Sequence, residues 1–468
     1  MRKLVVTLVL LGSLVAAVAT GASAGGGNGK GHSNGGGNGT SAGGGSSSST
    51  SGSSSSSEPG VLAVDDASLK AITTTEGGAD PTPSTRTIPH WFGQATDPHN
   101  GVSYGFNMVG ADPNHCSGNA CSTTIEADIT PINVVMSNGM TFNGSDVLSA
   151  TLASPVFATN DYGTTPAATA AGSFPNAPAL IRGAGGALSQ GDAGQHLQLE
   201  DATMRAQFNK TGAGSSYHVM LHPNTLPAVT INVPSNQGVV IASGRGVLGA
   251  DINISWWSAQ IKNLETTADP THLPIYLTNN VFLHIGQDVT NCCVIGYHGT
   301  RATGKGVGSA NSNGNAPVQT FAWASYVQPG FYSRANGGTD WALQDIHALS
   351  HEIAEWADDP FVNNFVEPWL TPTAPQYGCT GVLETGDPVV SIGFAMGTNT
   401  FFQNANPNGT VSYDGYFHPE DEVFLPWFMR FPSNATGTEP NQVSSGGRYT
   451  LMGDLNPFAG FRQPATGC

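Results

Sequence analysis

The stretch "HALSHEIAEWADDP", residues 347–360, decides how the chain is read. His351 is followed at once by Glu352, and Glu355 stands four residues after the histidine. The pattern is H-E-x-x-E, one substitution away from the H-E-x-x-H helix of zinc hydrolases. At 3.6 residues per turn, His347, His351 and Glu355 share one face, and Leu349, Ile353 and Trp356 fall on the opposite side. One side of such a helix packs on a sheet while the other presents donors to a cleft. Side chains four apart have Cβ atoms about 5–6 Å apart, close enough for an imidazole and a carboxylate to meet on one ion. Glu352 lies on the flank of that face, where zinc peptidases keep their general base. Thr339 or Asp340 is the expected cap of the helix, and Pro360 its stop.

A third ligand has to come from elsewhere. "GCTGVLETGDPV" offers Glu384 and Asp387, and "YFHPEDEVF" offers His418. His347 is a further candidate, because it forms a second i, i+4 pair with His351. His298, in "IGYHG", reads as a turn histidine beside Gly299, with a position lining the cleft as the alternative. One imidazole with two carboxylates neutralises most of a dication's charge. Zinc is the first expectation for such a site, and calcium or manganese also suit its oxygen-rich donors.

Around the motif the chain divides by composition. Residues 1–24 read as a signal peptide, with Arg2 and Lys3 ahead of an apolar run and Ala22-Ser23-Ala24 as the small-residue cleavage site. Residues 25–85 are rich in Gly, Ser and Pro and read as a disordered linker. Residues 86–190 read as a β-rich region, with "ITPINVVM" and "VLSATLASPVF" as strands between Asn/Gly turns. Residues 191–468 hold two helical patterns, "QHLQLEDATMRAQF" and "ISWWSAQIKNLE", then apolar strands in "LPIYLTNNVFLHI", "CCVIGYHG" and "VQTFAWASYV" before the motif helix. The expected class is α+β: a zincin-like domain of mixed twisted sheet and active-site helix, preceded by the β-rich region.

Charge and cysteine content narrow the function. Sixteen Lys and Arg stand against 33 Asp and Glu, and no basic cluster is visible, which argues against nucleic acid and anionic membranes as partners. No apolar run beyond the leader is long enough to span a bilayer. Six cysteines in an exported chain read as disulfides. Cys116 and Cys121 are expected to pair. The adjacent Cys292 and Cys293 either bridge each other or reach distant partners, with Cys379 as one such partner.

"LSHEIAEWADDP", then Trp369, then "GCTGVLETGDP" resembles a group of secreted bacterial and fungal proteins whose helix reads H-E-hydrophobic-x-E and is followed by an E-x-G-D segment near a cysteine. It more distantly resembles the plant exordium, or phosphate-induced, family. The resemblance spans roughly residues 195–430 and is most specific over 345–390. It implies a zincin-like metal site using His351, Glu355 and either Glu384 or Asp387, with Glu352 as base. The chain departs from true zinc peptidases in lacking a second motif histidine. The expected activity is that of a secreted metal-dependent hydrolase acting on an extracellular polypeptide. The alternative is a non-catalytic surface or matrix protein with a structural or vestigial ion, bound to an extracellular partner.

Overall fold

In the computed structural model, residues 61–63, 75–76, 85–162, 190–244, 246–302, 317–332, 344–370, 379–389, 392–401, 415–432, 444 and 447–453 are described. The signal-peptide reading of residues 1–24 lies outside them, as do Thr339 and Asp340. The first strands are β1 (Val61–Ala63), β2 (Thr75–Glu76), β3 (His90–Thr96), β4 (Ser103–Val109), β5 (Ser122–Val135), β6 (Thr141–Asn143) and β7 (Asn160–Asp161). Next come β8 (His196–Leu197), β9 (His218–Thr225), β10 (Val229–Asn232), β11 (Gly238–Ala242), β12 (Leu248–Asn253) and β13 (Leu273–Asn279). The last are β14 (Val281–His284), β15 (Cys292–Val294), β16 (Gly296–Ala302), β17 (Val318–Tyr326), β18 (Phe365–Leu370) and β19 (Cys379–Val382). Helices at Gly144–Ala153, Leu199–Gln207, Ile254–Leu264, His347–Asp358 and Leu425–Phe428 complete an α+β architecture.

The larger sheet runs β10-β5-β13-β17-β16-β2, with β6 and β9 also on β5. β5, β13 and β17 are parallel, and β16 is antiparallel to β17. A second sheet runs β1-β11-β12-β14-β15. β17, "VQTFAWASY", is buried along its whole length, because both faces are covered. Val318, Ala322, Ala324 and Tyr326 join the core cluster that holds Leu349, Ile353 and Trp356 of the motif helix. Phe321 and Trp323 point the other way, against Trp257 and Ile261 of the helix Ile254–Leu264. This two-residue alternation assigns each strand side chain to one layer. The small Ala322 and Ala324 let the helix come close. Trp356 fixes it there, its Nε1 donating to Thr320 Oγ1 at 2.9 Å.

Several expectations change. "VLSATLASPVF" is not a strand: residues 144–153 are helical, with Val147, Ala150 and Thr151 buried at i, i+3, i+4 spacing. Its Val and Thr content hid a helical period. The β-rich stretch 86–190 is not a lobe of its own, since β5 pairs with β13 inside the sheet and residues 60–468 form one unit. Within the stretch read as linker, the backbones of β1 and β2 pair with β11 and β16, because sheet edges recruit strands whatever the surrounding composition. Cys116–Cys121 pairs as expected, with Cα atoms 5.0 Å apart. Cys292 and Cys293 bridge each other, so Cys379 pairs elsewhere, outside the described residues. No helix among the described residues is long and apolar enough to cross a membrane.

If Trp356 pins the motif helix to the sheet, Trp356→Ala will cost about 3–5 kcal/mol in chemical denaturation. A loss below about 1 kcal/mol would show that the helix is held by other contacts.

Candidate metal centre

The motif helix, His347–Asp358, is buried at every position. It starts at His347 with Ile346 in the cap position and no side-chain cap. Its entry is held instead by Asp345, which takes the left-handed conformation with φ 41°. Asp345 Oδ2 accepts from His418 Nδ1 at 2.7 Å, and its Oδ1 accepts from the backbone N–H of His418 at 2.9 Å. The segment His418–Glu422 therefore lies along the helix. Two residues on, Glu420 accepts from His351 Nδ1 at 2.9 Å and from His347 Nε2 at 2.7 Å. The backbone N–H of Glu420 donates to Ser350 Oγ at 2.9 Å.

The Glu420 contact sets the His351 tautomer. A carboxylate only accepts, so Nδ1 carries the hydrogen and Nε2 is the atom left for a ligand. Nε2 lies 3.1 Å from Glu355 Oε1 and 3.9 Å from Asp387 Oδ1. Although buried, Nε2 makes no aligned hydrogen bond. Donor atoms sharing a tetrahedral ion at about 2.0–2.1 Å sit about 3.3 Å apart, so the pair is spaced as co-ligands are. Glu352, Glu355 and His351 each bring a donor atom within 4.8 Å of the others. Two glycines permit this crowding: a Cβ on Gly386 would meet His351 Nδ1 at 2.3 Å, and one on Gly296 would meet Glu352 Oε1 at 2.5 Å.

His298 is not in a turn. It lies within β16, wholly buried, on the side of the strand that faces the helix. Its Nδ1 is 3.4 Å from Glu352 Oε2 and 3.5 Å from Glu355 Oε2. Glu355 thus belongs to two donor groups, one with His351 and Glu352, the other with His298 and Glu384. The backbone N–H of Asp387 also donates to Glu355 Oε1, at 3.3 Å.

Of the expected ligands, the structure brings Glu355 and Asp387 to His351, and Glu384 to Glu355 in the group with His298; Glu352 lies beside His351 and Glu355. His347 and His418 each turn one ring nitrogen to a carboxylate, Nε2 to Glu420 and Nδ1 to Asp345, and neither joins the donor groups found among the described residues. Glu420 was missed, and His298 was named only through the alternative reading, as a residue lining the cleft. The signals that could have found them are the alternation His418-x-Glu420-x-Glu422 and the strand alternation Gly296-x-His298.

Electrostatics describe a site short of positive charge. Burial would lower the His298 pKa, but hydrogen bonds and charge from Glu352 and Glu355 carry it up to about 9. Burial likewise opposes charge on His351, yet Glu355 and Glu420 hold it well above the ordinary imidazole value. Glu352 is raised by burial to about 7, against the pull of His298 and His351. Glu384 is raised well above the carboxylate range by burial and by repulsion from Glu355, Asp387 and Asp359. Its Oε2 has no partner. A dication beside Glu355 would remove that repulsion and displace the protons.

Comparison with known proteins adds no assignment: no family model, no curated protein and no solved structure matches the chain.

The sign of the pH response follows. Glu352, Asp358, Asp359 and Asp421 sit near 7 in the fold and lower when unfolded, so stability falls as pH rises between those values. His298, raised to about 9, contributes stability below its unfolded value near 6.5, and this is lost as pH rises towards 9. Metal-free protein should therefore melt at a higher temperature at pH 5 than at pH 8, and added zinc should narrow the gap. A Tm that rises over that interval would contradict this charge distribution.

Proposed function

We propose that the chain is a secreted metal-dependent hydrolase with a zincin-like fold, acting on peptide bonds. The carrying observation is the close pair of buried donor atoms, His351 Nε2 and Glu355 Oε1, 3.1 Å apart on one face of the motif helix. His351 and Glu355 would hold the ion, completed by Asp387 or Glu384. Zinc suits the imidazole, and manganese or calcium suits the carboxylates. A mixed sheet with an antiparallel strand, β16, next to the motif helix supports the fold reading.

A dication held here would polarise a scissile carbonyl or an attacking water. The remaining work falls to the chain. Glu352, near 7, changes protonation at neutral pH, which suits a group that takes a proton from water and returns it to a leaving amine. His298 steadies the Glu352 Oε2 oxygen and leaves Oε1, which has no partner, as the oxygen that takes the proton. Glu420 holds the His351 ring so that Nε2 faces the ion.

A second reading rests on burial. His351, Glu352, Glu355 and Glu384 are all buried, and among the candidate ligands Asp387 is the exposed one, its side chain 32% accessible. An ion so enclosed suits a structural role in a surface or matrix protein.

Zinc-loaded wild type and Glu352→Gln, offered a broad peptide library, separate the two readings. Hydrolysis by the wild type, a fall of about 10²–10⁴-fold in Glu352→Gln, and equal metal content in both are expected. His351→Ala should lose the ion. If the loaded wild type cleaves nothing, the structural reading stands.

A further inference from the structure

Each oxygen of Glu355 faces a different histidine. Oε1 lies 3.1 Å from His351 Nε2, and Oε2 lies 3.5 Å from His298 Nδ1. The two rings come from different elements, the motif helix and β16. Asp387 stands with the first ring, its Oδ1 3.9 Å from His351 Nε2. Glu384 stands with the second: a donor atom from each of Glu384, Glu355 and His298 lies within 4.8 Å of the others. Gly386, between the two acids, lies against the His351 ring, where a Cβ would meet Nδ1 at 2.3 Å. One short loop thus supplies an acid to each group.

The spacing separates a hydrogen bond from a pair of ligands. A charge-assisted N–H···O bond closes to about 2.7–2.9 Å. His351 does so with Glu420, at 2.9 Å. His298 Nδ1 stays 3.4 Å from Glu352 Oε2 and 3.5 Å from Glu355 Oε2. Two donors on one tetrahedral ion sit about 3.3 Å apart, which is nearer to these distances. A proton on Nδ1 can point squarely at only one of the two oxygens, whereas an ion serves both.

Charge gives the same count. Glu352, Glu355, Glu384 and Asp387 line the two groups, and the first three are buried. The neighbouring acids have other partners. Glu420 is taken by His347 and His351, and Asp359 accepts from the backbone N–H groups of Asn363 and Asn364. Four carboxylates match two dications. A lone ion would leave two of them enclosed and dependent on protons. Glu384 feels the charge of Glu355 and Asp387, and a cation between it and Glu355 would relieve that repulsion.

We propose that the centre holds two dications bridged by Glu355. One sits on His351 Nε2, Glu355 Oε1 and Asp387, the other on His298 Nδ1, Glu355 Oε2 and Glu384. This rests on the metal reading of the His351 site, and it holds whether or not that site is catalytic. Imidazole with carboxylates suits zinc or manganese in both positions. Paired ions in hydrolytic sites lie about 3.5–4 Å apart, a spacing that holds both the attacking and the departing group. The second ion, rather than the His298 ring, then steadies Glu352 Oε2, and the role of Oε1 is unchanged.

The test uses the full chain, stripped with a chelator and loaded with zinc or with manganese. Metal analysis counts the ions, and electron paramagnetic resonance reads the manganese form. Wild type should hold one equivalent more than Glu384→Gln or His298→Gln. The difference is read rather than the total, because the Asp97, His99 and Glu367 group could add an ion to every sample. Manganese-loaded wild type should give the broad signal of exchange-coupled neighbours, and each variant the sextet of an isolated ion. Bound manganese that gives only the sextet in wild type overturns the two-ion centre and leaves the single-ion reading standing. Folded variants that hold as many ions as wild type do the same. If neither variant folds, the wild-type spectrum decides alone. A wild type that binds neither metal overturns both readings.

Discussion

One buried imidazole organises the molecule. His351 is clamped between two carboxylates, with Nδ1 at 2.9 Å from Glu420 and Nε2 at 3.1 Å from Glu355. The first contact is a hydrogen bond that fixes the ring. The second is a close approach of a buried ring nitrogen to a buried carboxylate. Everything nearby accommodates this clamp. Gly386 and Gly296 give up side chains where the ring and Glu352 need room. Trp356 presses the opposite face of the helix onto β17 through Thr320. Asp345 adopts a left-handed backbone to start the helix where His347 and His351 both reach Glu420.

The segment His418–Glu422 is the counterpart of that helix. Its alternate residues reach different depths: His418 grips the helix entry through Asp345, and Glu420 orients His351. A short extended stretch thus brings a buried acid to the helix. Such charge is expensive in a core and is found where a cation or a proton is part of the design.

Much of this was legible in the sequence because helices and strands carry periodic signals. The i, i+4, i+8 spacing put His347, His351 and Glu355 on one face, and the apolar runs of β13, β16 and β17 marked the sheet. What escaped lay in pairings between distant segments. Glu420 sits 69 residues from His351, and nothing local distinguishes it from Asp421 or Glu422. His298 looked like a turn residue because glycines flank "YH", whereas the strand is buried and Gly296 makes room for Glu352. The helix at residues 144–153 was masked by β-favouring side chains, and β1 and β2 by the composition around them. Pairing at a sheet edge is decided by which edge lies open, which no local window reports.

The most direct measurement is anomalous diffraction from a zinc-soaked crystal on both sides of the zinc absorption edge. A peak about 2.0–2.2 Å from His351 Nε2 and from a Glu355 oxygen, with Asp387 or Glu384 as a further ligand, is the expected result. A zinc-replete crystal with no peak there, and with Nε2 donating to water or to Glu355, would contradict it.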